Sequence, residues 1–304
     1  MRLPDQVLLC EVGPRDGFQY EKRAIPTDLK VEVIRDLTAA GLKRLQIASF
    51  VHPRWVPQMS DAEEVVARLL PAPEGVVYSG LALNVRGVER AVDAGLTHVD
   101  VSIATHDQHS LDNANMTVDE ALRQAEEMVS LARSKGLRVQ MGLQTVFGFR
   151  EPGDTTLERV VSLCRRIASW DVDEISLADS TGMANPVQVD ECVRAVQDAV
   201  GDIPLVLHLH DTRGLGLANV YAALQAGVTR FDTSFGGMGG CPFIAGATGN
   251  ISTEDTAWLL ESMGVQTGVS ISAIAASTRR MEAFLEHDLP GKMHHLVGAS
   301  PPAA

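Results

Sequence analysis

Two histidines spaced two residues apart, His208 and His210, have the types and spacing that most directly suggest chemistry. If residues 204–210 form a β-strand, side chains at this spacing point to the same face, so both imidazoles can bind one metal ion. Asp211 and Thr212 then mark the end of the strand. Isolated pairs of this kind are more often held by ordinary hydrogen bonds, so the interpretation depends on the rest of the chain.

The elements that must position this pair follow a repeated pattern. Four glycines each follow a segment with helical periodicity and precede an apolar run, as glycines do where a helix ends and a strand begins. They are Gly41, Gly95, Gly136 and Gly227. Four helical segments begin with a Ser/Thr-x-x-acid capping box. The boxes pair Ser60 with Glu63, Thr117 with Glu120, Thr155 with Glu158, and Ser252 with Asp255.

A strand followed by a helix therefore recurs along the whole chain. The predicted strands are 7–11, 44–49, 76–82, 98–104, 138–146, 174–179, 205–211 and 230–235. Eight such units make an α/β fold, the TIM (β/α)8 barrel, to which a helical pattern over 270–286 adds a C-terminal helix. A doubly wound open sheet is the alternative, but residues 13–17 do not match the glycine-rich phosphate turn that it usually carries. We predict one domain over 1–304, with the barrel at about 5–265 and a helical extension at about 266–304.

The composition limits the classes of protein to which the chain can belong. A 45% share of hydrophobic residues supports a large core, and no apolar run approaches the ~20 residues of a membrane span. The net charge of −13 argues against a nucleic-acid partner. We therefore expect a soluble protein with neither nucleic acid nor membrane as partner. Few, irregularly spaced cysteines and no recognised targeting signal favour the cytoplasm.

In a TIM barrel the active site lies at the carboxyl ends of the strands, which tests the candidate residues by position. The polar residues of this chain concentrate at those ends. Arg15 and Asp16 follow strand one, Ser49 and His52 follow strand two, Asp179 ends strand six, and the loop 236–242 and Asn250 follow strand eight.

A candidate metal site consists of Asp16, His208, His210 and Asn250. Two imidazoles and a carboxylate, with or without an amide oxygen and with open positions, suit a six-coordinate ion such as Mg²⁺ or Mn²⁺ and differ from a thiolate-rich zinc site. Such an ion can chelate a substrate hydroxyl and an adjacent oxygen, and so favour cleavage of the neighbouring carbon–carbon bond. Arg15 could stabilise an enolate in the transition state; the alternative is an ion pair with Asp16.

Cys241 is the cysteine for which we predict a catalytic role. It follows the glycine-rich residues 236–240, so its backbone can approach a ligand or swing over it, and its thiol could deliver a proton. The alternative is a small buried hydrophobe, the usual role of a lone cysteine. That structural role is the one we expect for Cys10, Cys164 and Cys192.

Five segments that contain these residues resemble one known family. They are EVGPRDG at 11–17, SFVHPRWVPQM at 49–59, HLHDT at 208–212, GGCP at 239–242 and GATGN at 246–250. The sequence is similar in all five to the 3-hydroxy-3-methylglutaryl-CoA lyases of the DRE-TIM metallolyase superfamily. The resemblance implies a TIM-barrel carbon–carbon lyase that acts on an acyl-CoA, with acetyl-CoA and acetoacetate as products, and that forms a homodimer.

The resemblance also implies roles for individual residues. A divalent cation would be bound by Asp16, His208, His210 and Asn250. Arg15 would act on the thioester oxygen, and Cys241 would be the catalytic loop thiol. The catalytic residues expected are therefore Arg15, Asp16 and Cys241.

Three positions depart from the family pattern and concern the acyl substrate. Gln46 stands where the superfamily has a glutamate, Arg213 where the family has a tyrosine, and Asp179 lies in Ala-Asp-Ser where the family has Gly-Asp-Thr. With Arg15 and Ser49, these three are the predicted substrate-binding residues. A neutral Gln46 and a cationic Arg213 predict a more positive pocket that favours an additional anionic group.

Two alternatives to the parent activity therefore stay open. The first is a lyase for a related 3-hydroxyacyl-CoA such as citramalyl-CoA, which would give acetyl-CoA and pyruvate. The second is a barrel that binds a CoA ligand and has lost catalysis. The intact set of metal-ligating residues argues against the second alternative.

Overall fold

Eight parallel strands close into a barrel in this computed structural model, which describes residues 3–240 and 248–298. The strands are β1 Leu8–Glu11, β2 Arg44–Ser49, β3 Val77–Ala82, β4 His98–Ala104, β5 Arg138–Gln144, β6 Glu174–Asp179, β7 Leu205–Leu209 and β8 Arg230–Thr233. Each strand pairs with the next in sequence, and β8 pairs with β1. The predicted TIM barrel is confirmed.

Helices follow the strands and surround the barrel. They are α1 Phe18–Tyr20, α2 Thr27–Ala39, α3 Ala62–Leu69, α4 Val85–Asp93, α5 Asp107–Ala114, α6 Val118–Ser134, α7 Leu157–Ala168, α8 Pro186–Val200, α9 Gly216–Gln225, α10 Thr253–Ser262, α11 Ile271–Leu285 and α12 Met293–Leu296. No helix within the described residues is both long and apolar enough to cross a membrane.

Of the four predicted capping boxes, one forms completely and a second forms only its serine half. Thr117 accepts a hydrogen bond from the Glu120 amide, and the Glu120 carboxylate accepts one from the amide of Thr117. Ser252 accepts a hydrogen bond from the amide of Asp255 at the start of α10. Both arrangements satisfy amides that the first turn of a helix leaves without partners.

The other two boxes were wrong. Thr156, not Thr155, begins α7, because the hydroxyl of Thr156 accepts a hydrogen bond from the amide of Arg159. Ser60 ends a short 3-10 turn, and α3 begins after Asp61. The Asp61 carboxylate is engaged elsewhere, with Lys30 at 2.7 Å.

Three predicted strands extend two residues too far. β5 ends at Gln144 because Thr145 adopts a positive φ of 55°. β7 ends at Leu209 because His210 turns to form an antiparallel bridge with Asn250. β8 ends at Thr233, and the chain then enters a tight turn at Phe235–Gly237.

Alternation along the strands separates two chemically different layers. On β4, Val99 and Val101 are buried in the apolar core, which lies between the strands and the helices. The opposite face of the same strand carries Asp100, which belongs to a polar network inside the barrel. Within that network the guanidinium groups of Arg44 and Arg230 both donate to the Glu174 carboxylate. Pairing offsets the cost of removing these charges from water.

The predicted C-terminal helix is confirmed as α11, and Ser270 accepts a hydrogen bond from the Ala273 amide at its start. Arg280 on α11 contacts Glu32 at 2.6 Å and Asp36 at 2.7 Å, and so joins α11 to α2 on the outside of the barrel.

The described cysteines have the expected structural role. Cys10, Cys164 and Cys192 are all buried. Burial raises the pKa of each of the three thiols, that of Cys192 to about 12, so these thiols stay protonated and unreactive at neutral pH.

Candidate metal centre and active site

Asp16, His208 and His210 meet at the carboxyl end of the barrel. One ligand atom from each residue lies within 4.8 Å of the others. The Nε2 atoms of the two histidines are 3.2 Å apart, and Oδ2 of Asp16 lies 3.9 Å from Nε2 of His208. The three predicted ligands therefore face one small volume.

Asn250 lies beside these three residues because the segment before α10 runs beside the end of β7. The bridge between His210 and Asn250 is flanked by a hydrogen bond from the Ile251 amide to the Leu209 carbonyl, 3.0 Å long. Asn250 Nδ2 donates to Asp16 Oδ2 over 2.7 Å. This donation turns the amide oxygen of Asn250 away from Asp16.

A glycine permits the close approach of this segment to the loop after β8. Gly239 has a φ of 130°, and a Cβ at this position would lie 2.6 Å from Nδ2 of Asn250. A larger residue would therefore displace Asn250 from the metal centre.

The protonation states of His210 and Asp16 suit metal binding. Burial lowers the pKa of His210 to about 3, so its imidazole is neutral and able to act as a ligand. Burial also opposes the charged form of Asp16, but Arg15 and the two histidines outweigh it and hold the pKa of Asp16 below its ordinary value. Asp16 is therefore a carboxylate at neutral pH.

The donor set fits a divalent cation. The Oδ1 atom of Asn250 is buried and has no hydrogen-bond partner, which is unusual for an amide oxygen unless it binds a ligand. Imidazole nitrogens, a carboxylate oxygen and an amide oxygen are the donors that Mn²⁺ and Mg²⁺ accept. Asp16, His208, His210 and Asn250 would hold such an ion.

Arg15 lies beside this centre, held from two sides. Its Nη1 contacts Asp16 Oδ1 at 2.5 Å, and its Nε donates to Oε1 of Gln46. The ion pair that the sequence left as an alternative is therefore present. The guanidinium has five N–H donors, so Arg15 can pair with Asp16 and still donate a hydrogen bond to a substrate oxygen.

A model of the HMGL-like family matches residues 6–280, most of the chain. The chain belongs to the HMGL-like family. The predicted family is confirmed. This HMGL-like protein is 37% identical over 292 residues to hydroxymethylglutaryl-CoA lyase YngG of Bacillus subtilis, with 96% of this chain and 97% of that relative covered.

Two further similarities bear on the acyl group. The HMGL-like chain is 36% identical over 307 residues to (R)-citramalyl-CoA lyase of Chloroflexus aurantiacus, covering 98% of this chain and 96% of the relative. It also matches the solved structure of an HMG-CoA lyase from Acinetobacter baumannii in complex with coenzyme A and 3-methylmalate, with a TM-score of 0.91, 36% identity and 98% of each chain covered.

Ser49 of the HMGL-like protein faces the same side of the sheet as Gln46. A register shift in β2 pairs Gln46 with Ser79 and Ser49 with Leu81, and Ser79 and Leu81 are two residues apart on β3. The hydroxyl of Ser49 is buried without a hydrogen-bond partner. It is therefore a suitable donor or acceptor for a ligand at this rim.

Asp179 and Arg213 lie where β6 and β7 end. The Asp179 carboxylate accepts hydrogen bonds from the amides of Met183 and Ala184, and burial raises its pKa to about 6. Arg213 is exposed, and its Nη1 donates to the carbonyl oxygens of Thr181 and Gly182, each at 2.9 Å. Both side chains stabilise the loop after β6, and their contact with substrate stays a prediction.

Of the two other predicted positions, one is exposed and one lies outside the described residues. His52 is exposed, and its Nδ1 accepts a hydrogen bond from the Arg54 amide. Cys241 falls within residues 241–247, outside the described residues. Its catalytic role stays a prediction.

Sequence reasoning missed Glu11, which holds the strand ends at the rim. Its carboxylate accepts hydrogen bonds from the amides of Gly13 and Phe235 and from the hydroxyl of Thr253. Glu11 thereby joins the ends of β1 and β8 to the start of α10. A glutamate as the last residue of an otherwise apolar strand was the available signal.

Sequence reasoning also missed Asp232, the register partner of His208 on β8. It accepts a hydrogen bond from His208 Nδ1. Burial opposes a charge on His208, but the hydrogen bond and charge of Asp232 outweigh it and raise the pKa of that imidazole. An acidic residue inside a buried strand was the signal here.

Proposed function

We propose that this protein is a divalent-metal-dependent lyase that cleaves 3-hydroxy-3-methylglutaryl-CoA to acetyl-CoA and acetoacetate. One observation carries the proposal. Two imidazoles and the Asp16 carboxylate converge beside Arg15 at the catalytic end of a TIM barrel, and the amide of Asn250 contacts the same carboxylate. The similarity to hydroxymethylglutaryl-CoA lyase of Bacillus subtilis over nearly the whole chain supports the same activity.

The divalent ion, Mg²⁺ or Mn²⁺, would be held by Asp16, His208, His210 and Asn250 and would supply a Lewis acid to the substrate oxygens. The chain must also stabilise the negative charge that appears on the thioester oxygen as the carbon–carbon bond breaks. Arg15 is placed to do so, because two hydrogen-bond acceptors fix its guanidinium before the substrate binds.

The new carbanion then requires a proton. We assign this step to the thiol of Cys241, which would release acetyl-CoA after the proton reaches the carbon. A thiol is a suitable donor because its ordinary pKa of about 8.5 lies near neutrality.

The direct test is to measure kcat/KM for a panel of thioesters that includes 3-hydroxy-3-methylglutaryl-CoA and citramalyl-CoA. The protein is first treated with chelator and then given Mg²⁺ or Mn²⁺, and acetoacetate or pyruvate is measured. We expect 3-hydroxy-3-methylglutaryl-CoA to be the best substrate. Binding of CoA ligands without cleavage of any thioester would instead establish a barrel that has lost catalysis.

Citramalyl-CoA is the second candidate substrate. The similarity to (R)-citramalyl-CoA lyase is nearly as high as that to hydroxymethylglutaryl-CoA lyase and covers as much of the chain. Arg213 adds a guanidinium near the rim, which could pair with an acyl carboxylate. A higher kcat/KM for citramalyl-CoA in the same panel would replace the parent assignment.

The assembly and location of the protein are further parts of the proposal. We propose a cytoplasmic homodimer in which residues 1–304 form one domain. The ion pairs of Arg280 with Glu32 and Asp36 support one domain, because they join the C-terminal extension to the barrel. Light scattering at several protein concentrations measures the oligomeric state, and coincident unfolding transitions by two probes test the single domain.

A further inference from the structure

A chain of hydrogen bonds crosses the barrel interior from Arg15 to β4. Arg15 Nε donates to Gln46 Oε1, and Gln46 Nε2 donates to Asp100 Oδ2 over 2.5 Å. The same oxygen of Asp100 accepts a hydrogen bond from Ser79 Oγ at 2.6 Å. Gln46 and Asp100 are 6% and 4% exposed, so water competes little for these contacts. Strands β2, β3 and β4 each contribute one side chain to this support.

The carboxylate of Asp100 determines which end of the Gln46 amide faces Arg15. A carboxylate only accepts hydrogen bonds, so the NH₂ group of Gln46 must face Asp100, which leaves the carbonyl oxygen for the guanidinium. A flipped amide would set donor against donor and acceptor against acceptor in a buried site. The negative charge of Asp100 also polarises the amide, which makes its oxygen a stronger acceptor for Arg15.

A competing explanation is that Asp100 serves only to neutralise Arg44. Arg44 Nη2 is 3.8 Å from Asp100 Oδ1, which is too long for a hydrogen bond. Arg44 instead donates to Gln140 at 3.0 Å and to Glu174. The other carboxylate oxygen of Asp100, Oδ2, holds Gln46, so Arg44 does not replace this contact.

We propose that Asp100 is a positioning residue for Arg15 and acts through the amide of Gln46. The inference rests on the proposed lyase function, in which Arg15 meets the developing enolate. A small displacement of such a group affects the transition state more than substrate binding.

The first test replaces Asp100 by asparagine. The new amide can present either end to Gln46, so it no longer fixes the acceptor that faces Arg15. We expect kcat for the best panel substrate to fall about 10- to 100-fold while KM changes less than about threefold.

A double variant, Gln46→Glu with Asp100→Asn, tests the mechanism by moving the carboxylate one position toward Arg15. The asparagine can then donate to the glutamate, which accepts from the guanidinium. We expect kcat to recover to within about fivefold of wild type. Gln46→Glu alone should lower kcat. It would place two carboxylates within the distance that the hydrogen bond between Gln46 and Asp100 now spans, and like charges at that distance repel.

Glu174→Gln is the matched control, because it weakens another buried carboxylate of the barrel without touching Gln46. It should lower Tm and leave kcat within about twofold of wild type. Wild-type kcat in Asp100→Asn, or a loss that the double variant does not rescue, would overturn the proposal. If Asp100→Asn does not fold, Gln46→Met decides: it breaks the link to Arg15 and keeps Ser79 on Asp100, so an unchanged kcat overturns the proposal.

A measurement that does not depend on activity distinguishes failure of this inference from failure of the proposed function. If wild type cleaves no thioester of the panel, the lyase assignment fails while the position of Arg15 can still be measured. The Nε–H signal of Arg15 in ¹⁵N NMR, assigned with Arg15→Lys, should shift and broaden in Asp100→Asn and sharpen again in the double variant. An unchanged signal in Asp100→Asn would overturn the positioning role.

Discussion

Nδ1 of His208 lies 3.1 Å from Oδ2 of Asp232 on the neighbouring strand. Since one ring nitrogen meets the carboxylate, the other nitrogen, Nε2, is directed toward Asp16 and His210. A hydrogen bond on the far nitrogen fixes the tautomer and orientation of a metal-binding imidazole and increases its basicity.

We therefore expect Asp232→Asn to weaken metal binding without removing a ligand. The affinity for Mn²⁺, measured by isothermal titration calorimetry on chelator-treated protein, should fall about 10- to 100-fold. Asp202→Asn, at an exposed loop position, serves as the control and should leave the affinity unchanged. Equal affinities for both variants would contradict the orienting role of Asp232.

His210→Ala should have a larger effect, because it removes a proposed ligand whose imidazole is neutral and buried. We expect Mn²⁺ binding to fall below detection and kcat/KM to fall by more than about a thousandfold, since the ion acts on the reacting oxygens. Retention of Mn²⁺ affinity in this variant would show that the ion binds elsewhere.

Arg15→Ala should lower kcat by about 100- to 1,000-fold with little change in KM, as loss of a contact made mainly in the transition state does. Because Arg15 also pairs with Asp16, Mn²⁺ affinity must be measured in parallel. An intact affinity with reduced kcat supports contact with the enolate. An unchanged kcat would leave Arg15 with a role only in the ion pair.

Arg213→Tyr tests whether the guanidinium selects the acyl group. If Arg213 pairs with an acyl carboxylate, KM for both panel substrates should rise about tenfold, and the ratio of their kcat/KM values should change. Arg150→Tyr, at another exposed arginine of the carboxyl-end loops, provides a comparison. Unaltered specificity in Arg213→Tyr would leave Arg213 as a support of the loop after β6.

We expect the buried imidazole of His109 to make the free energy of unfolding depend on pH, independently of the metal centre. Burial, with a smaller effect of His106, lowers the pKa of His109 to about 4, and its ring stacks on Phe149 at 4.8 Å. Between the folded pKa and the ordinary value of about 6.5, the unfolded chain binds the proton more readily, so stability is lost as pH falls. We expect this residue to account for about 1–2 kcal/mol of that loss by pH 5.

Denaturant unfolding of His109→Leu at pH 7 and pH 5 measures this contribution. The variant should lose less unfolding free energy between the two pH values than wild type does. His295→Leu removes an exposed histidine and should retain the wild-type dependence. An equal loss in His109→Leu and wild type would show that His109 does not take up a proton on unfolding in this range.

Local patterns in the sequence were sufficient to predict the barrel, since each strand and helix repeats its own periodicity and boundary residues. They were also sufficient for the convergence of Asp16, His208 and His210, because parallel strands bring their carboxyl ends to one rim. The cap at Thr156 was missed because adjacent threonines offer two equivalent hydroxyls, and only the path of the backbone selects one.

Contacts between strands were beyond the reach of such patterns. Asp100 and Gln46 are 54 residues apart, and the side chains that fill the barrel interior depend on strand tilt and register. Asp232 was missed for the same reason, since its role follows from pairing with His208 across two strands. Asp232 and Asp100 each contact a predicted site residue on the side that faces away from the site. Residues of this kind could therefore be identified only from the structure.

The turn at Phe235–Gly237 is held both by α10 and by the segment before α12. The Gly236 amide donates to the Glu254 carboxylate, and the Gly236 carbonyl accepts from the amide of Gly291, which lies just before α12. A truncation that removes Gly291 would thus remove one of the contacts that hold this turn, which precedes the segment leading to Asn250. Attempts to reduce this fold to a minimal barrel for engineering should therefore keep the segment through Met293, whose amide is held by Asp255.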